Sequence, residues 1–295
     1  MLKNGLSHPN AFHLAGVVPV SAEKTDFGME WSDCLTPIAP DYTALEHAVM
    51  ECVWAGCEPV WIVCNDDVSP LIRHRLGEFI MDPVYFNRMD PYPSEHRRRI
   101  PLYYVPIHPY DRGRRDCLPW SILYGAYRAF KVCDKISKYL APRMYYVAFP
   151  QSVYPVEVLR PHRKDISSIR PFFLRHQGNT IKNGSYLGFT FDEKGYKHLR
   201  DIVRLRRKDL INEELLKGKN PAKHFKLDTI FQYAIIDDAK VVEIPWYHKV
   251  DKWENYCTYL GSDERKEIER PGPHILSYHE YNRIGYEPDL LEGEN

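Results

Sequence analysis

The sequence predicts an α/β fold in three layers, a mainly parallel β-sheet with helices on both of its faces. Two observations carry this. From Phe12 to Phe149, apolar runs of strand length alternate with amphipathic runs of helix length, and a helix between successive strands returns each one parallel to the last. The apolar run from Phe12 to Val18 also leads, through a loop and a capped helix ending at Ala55-Gly56, into a second buried strand at Val60 to Cys64. That succession is the opening unit of a Rossmann-like nucleotide-binding domain, so a phosphate-bearing ligand is expected at the carboxyl ends of the strands.

The elements follow in order. After the strand Phe12 to Val18, Thr43-Ala-Leu-Glu46 has the spacing of a capping box, and Leu45, Ala48, Val49, Cys52 and Val53 recur at helical intervals before Gly56 stops the helix. The continuous apolar run Val60 to Cys64 reads as a buried strand, with Asn65-Asp66-Asp67 where its loop begins. Pro70 to Ile80 is expected to be a helix and Leu102 to His108 the third strand. Pro119 to Leu140 is expected to be a long helix with Pro119 in its first turn and Ile122, Ala126, Phe130, Cys133 and Ile136 along one face. Met144 to Phe149 is the fourth strand.

The pattern changes after Pro150. Asn183-Gly184 lies between short strand-like runs from Asn179 to Phe189, which is a hairpin signal. Asp192 to Lys217 reads as a charged helix whose basic run Arg204 to Lys208 is a solvated face. Ala239 to Trp246 is expected to return a strand to the main sheet, Asp251 to Leu260 to form a short helix, and the chain from Gly272 to have low helical tendency. The expected organisation is one continuous domain over residues 1–295, with 151–230 as its less regular, substrate-side region.

Composition narrows the function. The 40 basic residues balance 40 acidic ones, so no net field draws the whole protein to nucleic acid or an anionic membrane. Nucleic acid is therefore not an expected partner. No stretch approaches the roughly 20 apolar residues of a membrane span, and the residues after Met1 lack a secretory apolar core. The seven cysteines include no Cys-x-x-Cys pair, which suits buried reduced thiols more than disulfides or zinc. A soluble cytoplasmic protein is expected; the oligomeric state is not legible.

The order Leu14-Ala15-Gly16, a loop, Leu35-x-Pro37-Ile38, Leu45-Glu46-x-Ala48-Val49, Ala55-Gly56-Cys57 and Trp61-Ile62-Val63 resembles the start of the sugar-phosphate nucleotidyltransferases, which share the nucleotide-diphospho-sugar transferase (GT-A) fold. The resemblance is close to about Asn65 and looser to about Leu260. It extends to nucleotidyltransferase-like proteins of T4-like bacteriophages of marine cyanobacteria. It implies a reaction in which a sugar phosphate and a nucleoside triphosphate combine with release of pyrophosphate, and Mg²⁺ as cofactor. The same fold also serves glycosyltransferases that use a nucleotide sugar, and a noncatalytic nucleotide-binding or assembly protein is the third possibility.

Residue by residue, the family's glycine-rich phosphate loop falls at Gly16-Val-Val-Pro19-Val-Ser21-Ala-Glu-Lys24, with a single glycine, and its Pro-Lys pair at Pro37-Ile38. Gly16 and Ser21 become candidate substrate contacts, and Lys24 a candidate catalytic cation, because a hydroxyl and an ammonium can meet phosphate oxygens where glycines are missing. A solvated loop is the alternative role of Lys24. Asp66, at the end of the second strand, is a further substrate-binding candidate.

After the third strand, His108, Asp111, Arg112, Arg114, Arg115, Asp116 and Ser121 crowd the start of a helix. Arginine forks at a helix N-terminus suit a polyphosphate. Arg112 and Arg115 are thus candidate catalytic groups, and His108, Arg114 and Ser121 candidate substrate contacts; a surface network of these arginines with Asp111 and Asp116 is the alternative. The family's Gly-Asp metal motif is replaced after Phe149 by Pro150-Gln151-Ser152. The resemblance leaves Asp251, with Asp111, as the expected metal ligands, since Mg²⁺ takes oxygen donors. The alternative for Asp251 is a helix N-cap.

Overall fold

A computed structural model of the chain describes residues 14–20, 27, 32–86, 99–112, 117–215, 225–236 and 238–276. The strands are β1 Leu14–Pro19, β2 Pro37–Ala39, β3 Tyr42–Thr43, β4 Val60–Val63, β5 Phe79–Met81, β6 Arg99–Val105, β7 Met144–Val147, β8 Ser152–Val153, β9 Phe172–Arg175, β10 Phe189–Asp192, β11 Lys240–Glu243 and β12 His248–Lys249. Helices are α1 Ala44–Ala55, α2 Ser69–Leu76, α3 Pro83–Phe86, α4 Pro109–Arg112, α5 Leu118–Ile136, α6 Arg163–Ile166, α7 Glu193–Leu215, α8 Leu227–Phe231, α9 Trp253–Leu260 and α10 Pro273–Leu276, the last a single turn beyond Gly272.

Eight strands form one sheet in the order β11-β9-β10-β7-β1-β4-β6-β5. The centre, β7-β1-β4-β6, is parallel throughout. β10 runs antiparallel to both β7 and β9, β5 runs antiparallel to β6, and β11 joins the far edge parallel to β9. Six strands thus point one way and only β5 and β10 the other. From β1 the chain steps outward to β4 and β6, and α5 then carries it back to β7 on the other side of β1. Strand order reverses between β1 and β7, and their carboxyl ends border the crevice that such a switch point opens.

Alternation within the buried strands sorts the core onto two faces. Leu14, Val18, Ile62, Tyr146 and Phe172 pack with α1 and α9; Ala15, Val17, Val63, Val147 and Phe173 pack with α5, α7 and α8. The three-layer expectation is met. Cys34, Cys52, Cys57, Cys64, Cys117 and Cys133 are buried free thiols, and Cys257 is an exposed one. No helix among the described residues is long and apolar enough to cross a membrane.

Several boundaries differ from the sequence expectation, each for a local reason. Phe12 and His13 lie outside the described residues. The helix expected from Pro70 to Ile80 stops at Leu76, because Gly77 at φ 74° turns the chain, and Phe79–Met81 then pairs with β6 instead. β6 starts at Arg99 and ends at Val105, where Pro106 brings no N–H to the ladder. The long helix ends at Ile136 because Ser137 is extended and its hydroxyl accepts from Tyr139 N. Ile136, expected on the buried face, is 69% exposed.

The hairpin expected from Asn179 to Phe189 does not form around Asn183-Gly184; β10 pairs antiparallel with β9, which precedes that stretch. Gln177 and Gly178, both at positive φ, make the tight reversal closed by the His176–Asn179 bridge. Asn183-Gly184 instead ends a short 3₁₀ turn capped by Thr180. The return strand Lys240–Glu243 does join the main sheet, and α7 follows the expected range from Glu193 to Leu215.

Candidate functional site

Among the described residues, Asp66, His108, Asp111 and Arg112 gather just past the ends of β4 and β6. Asp66, just past β4, accepts from Arg112 Nη2 at 2.5 Å, and Arg112 Nε donates to the Ile107 carbonyl at 2.9 Å. One guanidinium therefore ties the end of β4 to the end of β6 while its side chain stays 31% exposed. His108 organises the same corner. Its carbonyl accepts from Asp111 N at 2.8 Å, and its Nδ1 accepts from Tyr110 N at 3.2 Å, starting α4. Asp111 is half-buried in this turn.

On the other side of the switch point, β7 runs into the buried segment Phe149-Pro150-Gln151. β8 pairs antiparallel with β12, Lys249 opposite Ser152, and Val250 N donates to the Gln151 carbonyl at 2.9 Å. This pairing brings Lys249 and Asp251, about a hundred residues later in the chain, to the end of β7. Lys249 Nζ lies 2.6 Å from Asp251 Oδ2, and Asn255 Nδ2 donates to Asp251 Oδ1 at 2.8 Å. The ammonium also lies over the Tyr186 ring, 4.8 Å from its centre. Tyr186 N in turn donates to the Tyr247 hydroxyl at 3.1 Å.

Three expectations change here. Gly16 sits inside β1, paired with Val60 and Tyr146, and its N–H is spent on the Pro59 carbonyl. A Cβ at this position would meet Cys52 Sγ at 2.9 Å, so the missing side chain lets α1 lie close to the sheet and leaves no N–H for phosphate. Ser121 is fully buried in the first turn of α5, with its hydroxyl directed to the Cys117 carbonyl at 3.4 Å, away from any solvent-borne substrate. Asp251 is not the cap of α9. Lys252 holds that position, without a side-chain capping bond, and the Asp251 carboxylate is taken by Lys249 and Asn255.

Those same contacts bear on magnesium. Mg²⁺ takes oxygen ligands, usually one or two carboxylates together with waters and the phosphates of its substrate. Both oxygens of Asp251 are engaged, Asp66 is held by Arg112, and no group of three or more His, Cys, Asp or Glu among the described residues could hold a metal ion. Asp111 and Asp251, the pair expected from the sequence, are not brought together in any such group, and a divalent ion at Asp251 would have to displace the Lys249 ammonium. Ser21, Lys24, Arg114 and Arg115 lie outside the described residues.

Beneath β7 lies a polar cluster that sequence reasoning passed over. Glu51 is fully buried on α1, and its Oε1 accepts from the Tyr146 hydroxyl at 2.8 Å. Burial pushes its carboxyl up to about 8, only partly offset by the hydrogen bond from Tyr146, so it holds a proton at neutral pH. Gly188 leaves room for this contact: a Cβ there would meet Tyr146 Oη at 2.1 Å and Glu51 Oε1 at 2.4 Å. His47, one turn earlier, lies 3.3 Å from the Tyr42 hydroxyl through Nδ1. Burial lowers it to about 4. The available sequence signal was three polar residues, Glu46, His47 and Glu51, in a helix that is buried on every side.

No protein-family model matches the chain, and no curated protein matches it. Among solved structures, the chain is similar to a candidate glucose-1-phosphate thymidylyltransferase from Bacillus anthracis in complex with sucrose. Identity is 10%, the match covers 88% of this chain and 98% of that one, and the TM-score is 0.53. The likeness is one of fold, a mainly parallel α/β sheet with helices on both faces. Rv0371c of Mycobacterium tuberculosis aligns over 85% of this chain and 100% of its own at 13% identity, with a TM-score of 0.44. A second structure of that protein, in complex with manganese, aligns at the same identity and TM-score over 99% of its length.

Proposed function

We propose that the chain is a sugar-phosphate nucleotidyltransferase that takes a nucleoside triphosphate and a sugar phosphate and releases pyrophosphate. The observation that supports this reading is the placement of charge at one switch point: Arg112 reaches from the ends of β4 and β6, and the Lys249–Asp251 pair from the end of β7, around the crevice beside β1. A phosphate oxygen of the sugar phosphate attacks the α-phosphorus in line. The bond from that phosphorus to the oxygen bridging to the β-phosphate breaks, and pyrophosphate leaves. The demand on the protein is for cations and N–H donors around spreading negative charge. Asp66 fixes the Arg112 guanidinium at the crevice; Lys24, Arg114 and Arg115 are the further cations proposed for the phosphates, with Ser21 as a hydroxyl donor. No step here runs through a metal ion.

The experiment supplies each nucleoside triphosphate with a panel of sugar 1-phosphates, in chelator and in added Mg²⁺ or Mn²⁺, and follows pyrophosphate. Nucleotide sugars with acceptor sugars run beside it. Pyrophosphate release is the expected result. Nucleoside diphosphate released from a nucleotide sugar would reassign the site to glycosyl transfer, and no turnover in either arm would make it a binding protein. Arg112→Ala should weaken nucleotide binding by about 1–3 kcal/mol, the worth of a charge-assisted contact. Unchanged titration by that variant would reduce Arg112 to a brace between two strand ends.

A further inference from the structure

We propose that Lys249 is the resident cation of this site: held by Asp251, its ammonium binds a phosphate of the nucleotide, and that binding needs no divalent metal. The inference rests on the nucleotide reading above and adds the residue that occupies the position where a metal was expected.

The backbone fixes Lys249 before its side chain does anything. It sits opposite Ser152 in the β8–β12 ladder, and the next residue donates to the Gln151 carbonyl. Its position is therefore set by the segment that ends β7, at the border of the crevice. The side chain is then held at two further points, 2.6 Å from Asp251 Oδ2 and 4.8 Å over the Tyr186 ring. Asp251 is itself held by Asn255 and only 11% exposed, whereas Lys249 remains 39% exposed. The carboxylate is nearly covered, while the lysine side chain keeps access to solvent.

An ammonium carries three N–H donors and no acceptor. Asp251 takes one, and the tyrosine face attracts the charge without consuming a donor in a linear hydrogen bond. At least one N–H remains for an anion. With Lys249 on one oxygen and Asn255 on the other, the carboxylate is placed to orient the lysine, and a divalent ion would have to displace the ammonium. A second observation points to a ligand at the same place. Gln151 is 5% exposed, and its Oε1 has no hydrogen-bond partner among the described residues. A buried acceptor left open on the segment that pairs with the Lys249 strand is costly unless something supplies a donor; a nucleotide or sugar hydroxyl would do so.

The test is calorimetric titration of the full chain with nucleoside di- and triphosphates, once in chelator and once in excess Mg²⁺. Equal affinity in the two buffers is expected. Lys249→Met keeps the apolar stem over Tyr186 and removes the charge; it should bind about tenfold more weakly, the loss of one charge-assisted contact, while Lys249→Arg should recover part of that loss. Circular dichroism establishes that each variant is folded, and the buffer comparison needs no variant at all. Nucleotide bound only with Mg²⁺ or Mn²⁺, or bound by folded Lys249→Met as well as by wild type, would overturn the role of Lys249 and leave the nucleotide reading standing. Nucleotides that bind in neither buffer would overturn both.

Discussion

Glu51 shows how a single buried group sets the response of the protein to pH. Its carboxyl ordinarily titrates at 4.5 and in the fold at about 8. Between these values the unfolded chain is ionised and the folded one neutral, so folding takes up a proton and stability falls as pH rises through that window. His47 acts in the opposite sense. Lowered from 6.5 to about 4, it costs stability as pH falls below 6.5, because only the unfolded chain then gains the proton. The two slopes oppose each other between pH 4.5 and 6.5 and leave Glu51 alone above that. Urea midpoints should therefore decline between pH 6.5 and 8, by on the order of 2 kcal/mol in stability at 1.36 kcal/mol per pH unit. Glu51→Gln, whose amide oxygen still accepts from Tyr146, should flatten the decline; an unchanged slope in that variant would refute the assignment. Little of this was legible. Asp66 and Arg112 could be found because charged residues beyond an apolar strand announce a strand end. Glu51 could not, because spacing shows which side of a helix is apolar and not whether the polar side is covered. Gly16 misled for a related reason: in a strand, a glycine that makes room for a helix looks the same as one that makes room for phosphate.

At the scale of elements, short-range chemistry was readable and long-range pairing was not. The capping box of α1 is present in full: Thr43 Oγ1 accepts from Glu46 N at 3.3 Å, and Glu46 Oε2 accepts from Thr43 N at 2.8 Å. The same Glu46 carboxylate, fully buried, accepts from Arg75 Nε at 3.0 Å, so the cap also anchors α2 to α1. Thr43→Ala should lower stability by about 1–2 kcal/mol, within the range of lost helix caps, and Thr43→Ser should restore most of it in the same denaturant titration. A Thr43→Ala protein as stable as wild type would mean that Glu46 and Arg75 hold the helix end unaided. The four parallel strands were legible as apolar runs: β1, β4 and β7 are buried on both faces, and β6 alternates buried with more exposed residues. β5 was not. Its three residues continue the helical pattern from Pro70, and only pairing with Arg99–Pro101 makes them a strand. The β8–β12 ladder is two residues a side, too short to leave a pattern, yet it delivers Lys249 and Asp251 to the site.

Over the whole molecule, the regular first half and the irregular second half are built into one sheet. β10 covers the edge of β7 that β1 does not, and β9 and β11 extend the sheet beyond it. The later chain also holds the earlier one through side chains. Tyr256 and Tyr259 donate to the carbonyls of Pro37 and Ile38 at 2.6 and 2.8 Å, and Arg163 Nη2 reaches both the Val53 carbonyl at 3.0 Å and buried Asp82 at 2.8 Å. The change in sequence pattern after Pro150 reflects antiparallel pairing and long connections, whose registers depend on contacts far along the chain. We propose that residues 1–295 unfold as one unit, since loss of residues 151–295 would strip β7 of a neighbour and bare an apolar edge. Far-UV circular dichroism and tryptophan fluorescence should then trace a single coincident transition in urea, and a fragment ending at Pro150 should fail to give a sharp one. Two resolved transitions, or a fragment that melts cooperatively by itself, would make the second half a separate folding unit and place the Lys249–Asp251 pair at a boundary between units.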